Sequence, residues 1–166
     1  MATEKQIMAR LYHLERLQVI PRQRDDVFAF FATAANLETL TPAFLRFNII
    51  TAQPTAIRCG TLIDYRLHLF RLPLRWRTRI EVFEPPCRFA DRQIKGPYRY
   101  WYHVHEFHRV PAGTLMLDHV EYALPFGPLG SLMHRLVVRR MLERIFDYRY
   151  ERLNTLFPPP NAVPVA

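Results

Sequence analysis

Trp101 to Tyr122 reads WYHVHEFHRVPAGTLMLDHVEY. Two alternating runs flank Pro111-Ala112-Gly113, and a period of two is that of a β-strand, whose successive side chains point to opposite faces. Trp101, His103, His105 and Phe107 share one face of the first run. Thr114, Met116, Asp118, Val120 and Tyr122 share a face of the second. A Pro/Gly turn between two such runs makes an antiparallel hairpin. Its inward faces carry histidine and aspartate among aromatic residues, which a purely structural hairpin has no need to do.

The same period extends upstream. Thr61, Ile63, Tyr65, Leu67 and Leu69 alternate with Asp64, Arg66 and His68. Beyond a turn near Arg71 to Pro73, Leu74, Trp76, Thr78, Ile80 and Val82 alternate with Arg75, Arg77, Arg79 and Glu81, which is apolar inside and charged outside. Pro85-Pro86 ends that strand; Phe89, Asp91 and Gln93 share a side of a shorter one closed by Gly96-Pro97. Phe47, Ile49 and Thr51 suggest another short strand, and about Ala9 to Val19, before Pro21, a first one. Between these last two, Asp25 and Asp26 precede Val27, Phe28, Phe30 and Phe31, marking a short helix, and a second spans Asn36 to Leu40 before Pro42.

Downstream, Leu124 to Gly130 reads as a loop, Gly127 to Gly130 as its hinge, and Ser131 as the N-cap of a long helix to about Phe157. Met133, Val137, Met141, Ile145 and Tyr148 fall at helical spacing, with Arg135, Arg139, Glu143 and Asp147 elsewhere on the helix. The order is strand, two short helices, about six strands, long helix: an α+β fold in which an antiparallel sheet of six to seven strands curls around the last helix. One helix cannot fill such a hollow, so a ligand-sized cavity is expected beside it. Residues 1–157 read as one domain and the Pro-rich 158–166 as a disordered tail.

Composition sets limits. The chain has 166 residues, 49% of them hydrophobic and 13% aromatic, enough for one well-filled core. No apolar run is long enough to cross a bilayer and the first ten residues lack the order of a secretory signal, so a cytoplasmic location is expected. Cys59 and Cys87 are expected to be reduced thiols. Net charge is +8, and all but two of the 23 basic residues are arginine, Lys5 and Lys95 being the exceptions. Arg66, Arg75, Arg77 and Arg79 on the sheet and Arg135, Arg139 and Arg140 on the helix are too dispersed for a nucleic-acid face, and no motif or exposed aromatic interleaving supports one. They can be a solvated surface, a docking face for a protein partner, or a weak attraction to an anionic membrane.

Several motifs carry a family resemblance: Asn36-Leu37-Glu38 with Leu40-Thr41-Pro42, Pro85-Pro86 with Phe89, Asp91 and Gln93, Gly96-Pro97-Tyr98, then Trp101, His103, His105 and Phe107. Gly113-Thr114, Met116, Asp118, Val120 and Tyr122 follow, then Pro125, Gly127, Gly130, Ile145-Phe146 and Arg149. In these the chain resembles the START/polyketide cyclase superfamily (SRPBCC, Bet v 1-like), and within it small bacterial ligand-binding members. The resemblance spans nearly the whole chain. It implies the helix-grip fold and a cavity for a hydrophobic molecule. The superfamily includes lipid carriers, coenzyme Q-binding proteins, polyketide aromatase/cyclases and hormone receptors, so the resemblance does not choose a ligand or reaction.

The inward polar residues are Tyr65, Thr78, Asp91, Gln93, His103, His105, Asp118 and Tyr122. Burying them unpaired is costly, so they either line a cavity or satisfy one another, for instance Asp118 with His103 and Tyr122 with Gln93. Trp76, Trp101, Phe107 and Met116 supply apolar wall, and Met133, Val137 and Met141 the helix side. His103, His105 and Asp118 are candidate acid–base groups. His103 and His105 with Asp91 or Asp118 have the makings of a two-histidine, one-carboxylate metal site, but H-x-H spacing is common, and neither a metal nor any other cofactor is expected from it. With no serine or cysteine nucleophile beside a base, binding or carriage of a hydrophobic small molecule is favoured over cyclase/dehydratase chemistry.

Overall fold

The computed structural model describes residues 10–51, 56–69 and 72–159. The start of the first strand at Ala9, the segment read for a signal, Arg71 in the first long hairpin's turn, and the tail from residue 160 lie outside the described residues.

The elements are β1 (Leu11–Ile20), α1 (Arg24–Phe31), α2 (Asn36–Thr39), a 3₁₀ turn at Ala43–Leu45, and β2 (Asn48–Ile49). Five long strands follow: β3 (Leu62–Leu69), β4 (Leu72–Glu84), β5 (Arg88–Lys95), β6 (Tyr100–Val110) and β7 (Gly113–Ala123). The chain ends in one helical rod made of α3 (Gly127–Met133), a π-helical segment (His134–Val138) and α4 (Arg139–Leu156). No helix among the described residues is long and apolar enough to cross a membrane.

All seven strands form one antiparallel sheet in the order β1-β7-β6-β5-β4-β3-β2. The 11 residues of β6 and 11 of β7 pair with Trp101 opposite Tyr122 and His105 opposite Asp118. Register shifts between Arg77 and Thr78 and between Ile80 and Val82 bend β4 against β5 and add to the sheet's curl. Gly113 turns β6 into β7 at φ +129°, and a Cβ there would lie 2.3 Å from the Ile20 carbonyl oxygen, so only glycine fits where β1 ends.

Alternation holds along the sheet. Ile63, Tyr65, Leu67, Trp76, Thr78, Ile80, Trp101, His103, His105 and Phe107 are buried, while Arg66, Arg75, Arg77 and Arg79 are exposed on the convex side. Helix α1, with Asp25 and Asp26 in its first turn, plugs one end of the hollow. Phe28 meets Phe83, Phe89 and Phe107 with ring centroids 5.5, 6.0 and 5.5 Å apart. Burying an aromatic ring this fully contributes about 1.5–3 kcal/mol.

The last helix differs from its expected form in three ways. It begins at Gly127, so Ser131 lies within α3 rather than capping it. It contains a π segment whose His134 stacks on Tyr12 at 3.5 Å, inserting part of a turn before α4. Its buried stripe is Leu142, Phe146, Arg149 and Leu153, one position round from the expected one: Met133 is 41% exposed, and Val137, Met141, Ile145 and Tyr148 are half-buried. Steps of three or four describe both stripes; the buried one contains an arginine and so breaks the apolar pattern. At β1 the helix is tied down by Gln18, whose Nε2 donates to the Tyr150 carbonyl at 3.0 Å and to Asn154 Oδ1 at 2.9 Å.

Candidate ligand-binding site

Between the β3–β6 part of the sheet, α2 with the 3₁₀ turn, and α4 lies a partly open cavity of about 180 Å³. Its body is apolar: Leu37, Leu40, Ile63, Leu67 and Leu142 meet Trp76, Tyr98 and Trp101 there. The aromatic wall is tightly built, with Trp76 perpendicular to Trp101 at 5.3 Å and stacked on Tyr65 at 5.8 Å. One wall is polar and carries Thr78, Asp91, His103, His105 and Arg149.

That wall rests on Asp118, which is 5% exposed. Its Oδ1 lies 2.9 Å from His103 Nε2 and 2.7 Å from His105 Nδ1, the second contact being too bent for a good hydrogen bond. Its Oδ2 accepts from Arg149 Nη1 at 3.4 Å. Arg149 reaches it from α4 and lies over the Phe146 ring at 4.9 Å. On the cavity side, Thr78 Oγ1 donates to Asp91 Oδ1 at 2.9 Å. Asp91 Oδ2 lies 3.8 Å from His103 Nδ1 and 3.7 Å from His105 Nε2. Each imidazole therefore turns one nitrogen to Asp118 and the other toward Asp91.

Burial and the neighbouring His105 push His103 down to about 4, against the pull of the two carboxylates. Burial acts the same way on His105, but Asp118 and Asp91 outweigh it and raise its pKa. Burial is the largest single influence on Asp118, yet Arg149 and the two histidines together hold its pKa well below the carboxylate range. Asp91 is likewise lowered, its desolvation being outweighed by both histidines and Thr78. At neutral pH the wall thus holds two carboxylates, a guanidinium and a histidine pair of which His105 is the more readily charged.

Of the expected cavity residues, Tyr65, Trp76, Thr78, Asp91, Trp101, His103, His105 and Met141 line the cavity. The others are placed elsewhere. Asp118 and Met116 sit behind the wall, at a small crevice between β7 and α4. Phe107 packs under α1. Gln93 spends its amide on the Tyr98 backbone, donating at 2.7 Å, and not on Tyr122. Tyr122 pairs with His134 Nε2 at 2.9 Å and faces a surface groove of about 740 Å³ between β1 and the π segment, lined with Arg10, Arg16, Arg135 and Arg139. Met133 and Val137 border no part of the cavity. An inward position on a curled sheet can meet α1, α4 or open space, and alternation cannot tell these apart.

Sequence reasoning did not assign Phe31, Leu37, Leu40, Tyr98, Leu142, Phe146 and Arg149 to the cavity. Leu37 and Leu40 had a signal, sitting in the recognised second helix. Arg149 stood only among the residues that carry the family resemblance, since a lone arginine on a helix otherwise reads as surface. Three buried nitrogens of cavity-lining residues make no hydrogen bond, Trp76 Nε1, Arg149 Nε and His105 Nδ1, the last of which lies close to Asp118. Burying a donor unpaired costs about 1–3 kcal/mol, and a ligand acceptor would recover it.

Among the described residues, two clusters have metal-ligand composition: Asp91, His103 and His105 in the cavity, and His13, His119 and Glu121 on the convex side of β1 and β7.

The chain is similar in fold to several solved structures. One from Chromobacterium violaceum has a TM-score of 0.67 at 12% identity, over 89% of this chain and 97% of that one. The ginseng major latex-like protein 151 of Panax ginseng has a TM-score of 0.62 at 10% identity, over 90% and 99%. A norcoclaurine synthase point mutant of Thalictrum, in complex with a transition-state analogue, has a TM-score of 0.63 at 13% identity, over 90% and 98%. At these identities the likeness concerns the helix-grip fold. No curated protein matches the sequence. The model of the family described as polyketide cyclase/dehydrase and lipid transport matches residues 20–147, most of the folded region, and the chain belongs to that family.

Proposed function

We propose that this protein binds or carries one small hydrophobic or amphipathic molecule in the cavity between its sheet and α4. The observation that carries this reading is a largely apolar cavity with a charged wall and buried donors left unpaired, among them Trp76 Nε1 and Arg149 Nε. A ring or chain would lie against Trp76, Trp101 and Leu40, with an oxygen acceptor turned toward the donors. A dry cavity of about 150 Å³ admits benzene. The volume of about 180 Å³ here therefore suits one ring or a short acyl chain. A whole lipid, a quinone with its tail or a polycyclic polyketide exceeds this volume. Native mass spectrometry of gently purified protein, with a thermal-shift screen of phenols, short fatty acids and quinones, tests the reading. Stabilisation by such compounds that disappears in Ala34→Phe supports it; stabilisation retained in that variant rejects it.

The folded region acts as a single ligand-holding domain in this reading, and a cytoplasmic setting belongs to it. Phe126, Leu129, Leu132, Met133 and Leu136 are exposed along the start of the helical rod beside Arg135, Arg139 and Arg140, which supports transient contact with an anionic membrane during loading.

One observation favours a second reading, cyclase/dehydratase-type chemistry. His103 and His105 face the cavity backed by an ionised carboxylate, the arrangement of an acid–base pair. A solved neighbour, norcoclaurine synthase, is by name an enzyme on this fold. In that case His103→Ala abolishes turnover while ligand affinity is largely kept; equal loss of both points to binding alone.

A further inference from the structure

Asp118, being ionised, only accepts, so the nitrogens 2.9 and 2.7 Å from it, His103 Nε2 and His105 Nδ1, carry protons. In neutral imidazoles the opposite nitrogens, His103 Nδ1 and His105 Nε2, then present lone pairs. Both aim at Asp91 Oδ2, 3.8 and 3.7 Å away, too far to be hydrogen-bonded to it. Asp91 cannot swing away freely, because Thr78 holds its other oxygen at 2.9 Å. Asp91 Oδ2 thus lies within 3.8 Å of both nitrogens at the cavity wall, and the three residues each offer a ligand atom within 4.8 Å of the others.

We propose that Asp91, His103 and His105 bind a divalent transition-metal ion of the zinc class through Asp91 Oδ2, His103 Nδ1 and His105 Nε2. Zinc sits about 2.0–2.2 Å from nitrogen and carboxylate ligands, which puts neighbouring ligand atoms about 3.4 Å apart in tetrahedral geometry. Closing the separations of 3.7 and 3.8 Å to that value takes a few tenths of an ångström. The outer ring of partners is in place. Asp118 accepts the far N–H of His103 and lies 2.7 Å from His105 Nδ1, Arg149 anchors Asp118, and Thr78 orients Asp91. Three protein ligands leave a position open, and since all three line the cavity it opens onto the bound molecule. An oxygen donor of the cavity ligand, or water, completes the coordination. This adds an ion to the ligand reading of the same cavity.

The test uses the full, untagged chain carrying His13→Ala and His119→Ala, so that the exposed cluster cannot contribute. After chelator treatment, zinc is titrated calorimetrically and its stoichiometry read by elemental analysis. One equivalent per chain is expected, with affinity reduced at least about tenfold by Asp91→Asn and by about 10–100-fold by Asp118→Asn. Circular dichroism checks that each variant is folded. A readout without substitution in the cavity guards against variants that are not: in long-range ¹H–¹⁵N spectra, zinc shifts His103 Nδ1 and His105 Nε2 and leaves His103 Nε2 and His105 Nδ1 protonated. Resonances unmoved at saturating zinc, or binding that survives Asp91→Asn unchanged, overturns the proposal. Uptake of a fluorescent apolar probe, measured on the zinc-free protein, reports separately on the cavity, so loss of the metal site and loss of the ligand reading give different results.

Discussion

Replacing Asp118 with alanine removes the one acceptor on which His103, His105 and Arg149 converge, at 2.9, 2.7 and 3.4 Å. The side chains of Asp118 and Arg149 are only 7% and 10% exposed, so water does not take over the lost role. Breaking a buried ion pair by deleting one partner costs about 3–5 kcal/mol, chiefly because a charge is left without compensation. For a domain of this size each kcal/mol lowers Tm by about 2–4 °C, so Asp118→Ala should melt about 6–20 °C below the parent. Arg149→Met tests the mechanism. In the double variant no buried guanidinium is orphaned, and the remaining penalty is the His103 N–H left without its acceptor, at about 1–3 kcal/mol. The double variant should therefore lose at least about 2 kcal/mol less than the sum of the single losses, well outside the additivity of independent sites. Urea unfolding can be followed by the fluorescence of Trp76 and Trp101, both buried in the cavity wall. Single losses below about 1 kcal/mol, or additive losses within about 0.5 kcal/mol, would refute the idea that this network supports the polar wall.

Filling the cavity should be structurally cheap and functionally expensive: Ala34→Phe is expected to keep Tm within a few degrees, where a close-packed site would lose about 1–3 kcal/mol, while apolar probe uptake falls at least tenfold. Trp76→Phe removes the unpaired indole N–H and keeps an aromatic wall, so affinity for ligands bearing a carbonyl or carboxylate should fall about tenfold and that for plain hydrocarbons should hold; equal losses would show that Trp76 is wall only. In the metal-free protein, imidazole NMR should show His105 titrating above the ordinary 6.5 and His103 near 4. For His103, neutral in the fold, the contribution to stability is complete above about 6.5 and is lost as pH falls toward 4; for His105 the sign reverses, its contribution being present below its ordinary value and lost as pH rises through the raised one. Two histidines titrating together at the ordinary value would contradict the charge arrangement of the wall. Phe126→Ser with Leu129→Ser should reduce co-sedimentation with anionic vesicles at low salt, Phe126 being 78% exposed; unchanged pelleting, or none by the parent, rejects the membrane contact.

What the sequence determined by itself is what period and punctuation encode. Alternation from Trp101 to Tyr122 about Gly113 sets the hairpin and puts His103 and His105 inside, because side chains two apart on a strand must share a face. The two short helices, the meander and the closing helix follow from the same rules, and with them the helix-grip fold. Tertiary structure decided which inward positions meet open space. Phe107 went under α1 and Asp118 behind α4, since a curled sheet is covered unevenly by the elements laid upon it. It also decided the face of the last helix. Arg149 is buried because Asp118, 31 residues away in the chain, supplies the countercharge; helical spacing records no such partner, so the apolar pattern pointed to Tyr148 instead. The convergence of Asp91 with both histidines belongs to the same class. It depends on the pairing of β5 with β6, a long-range register that no local run of residues states.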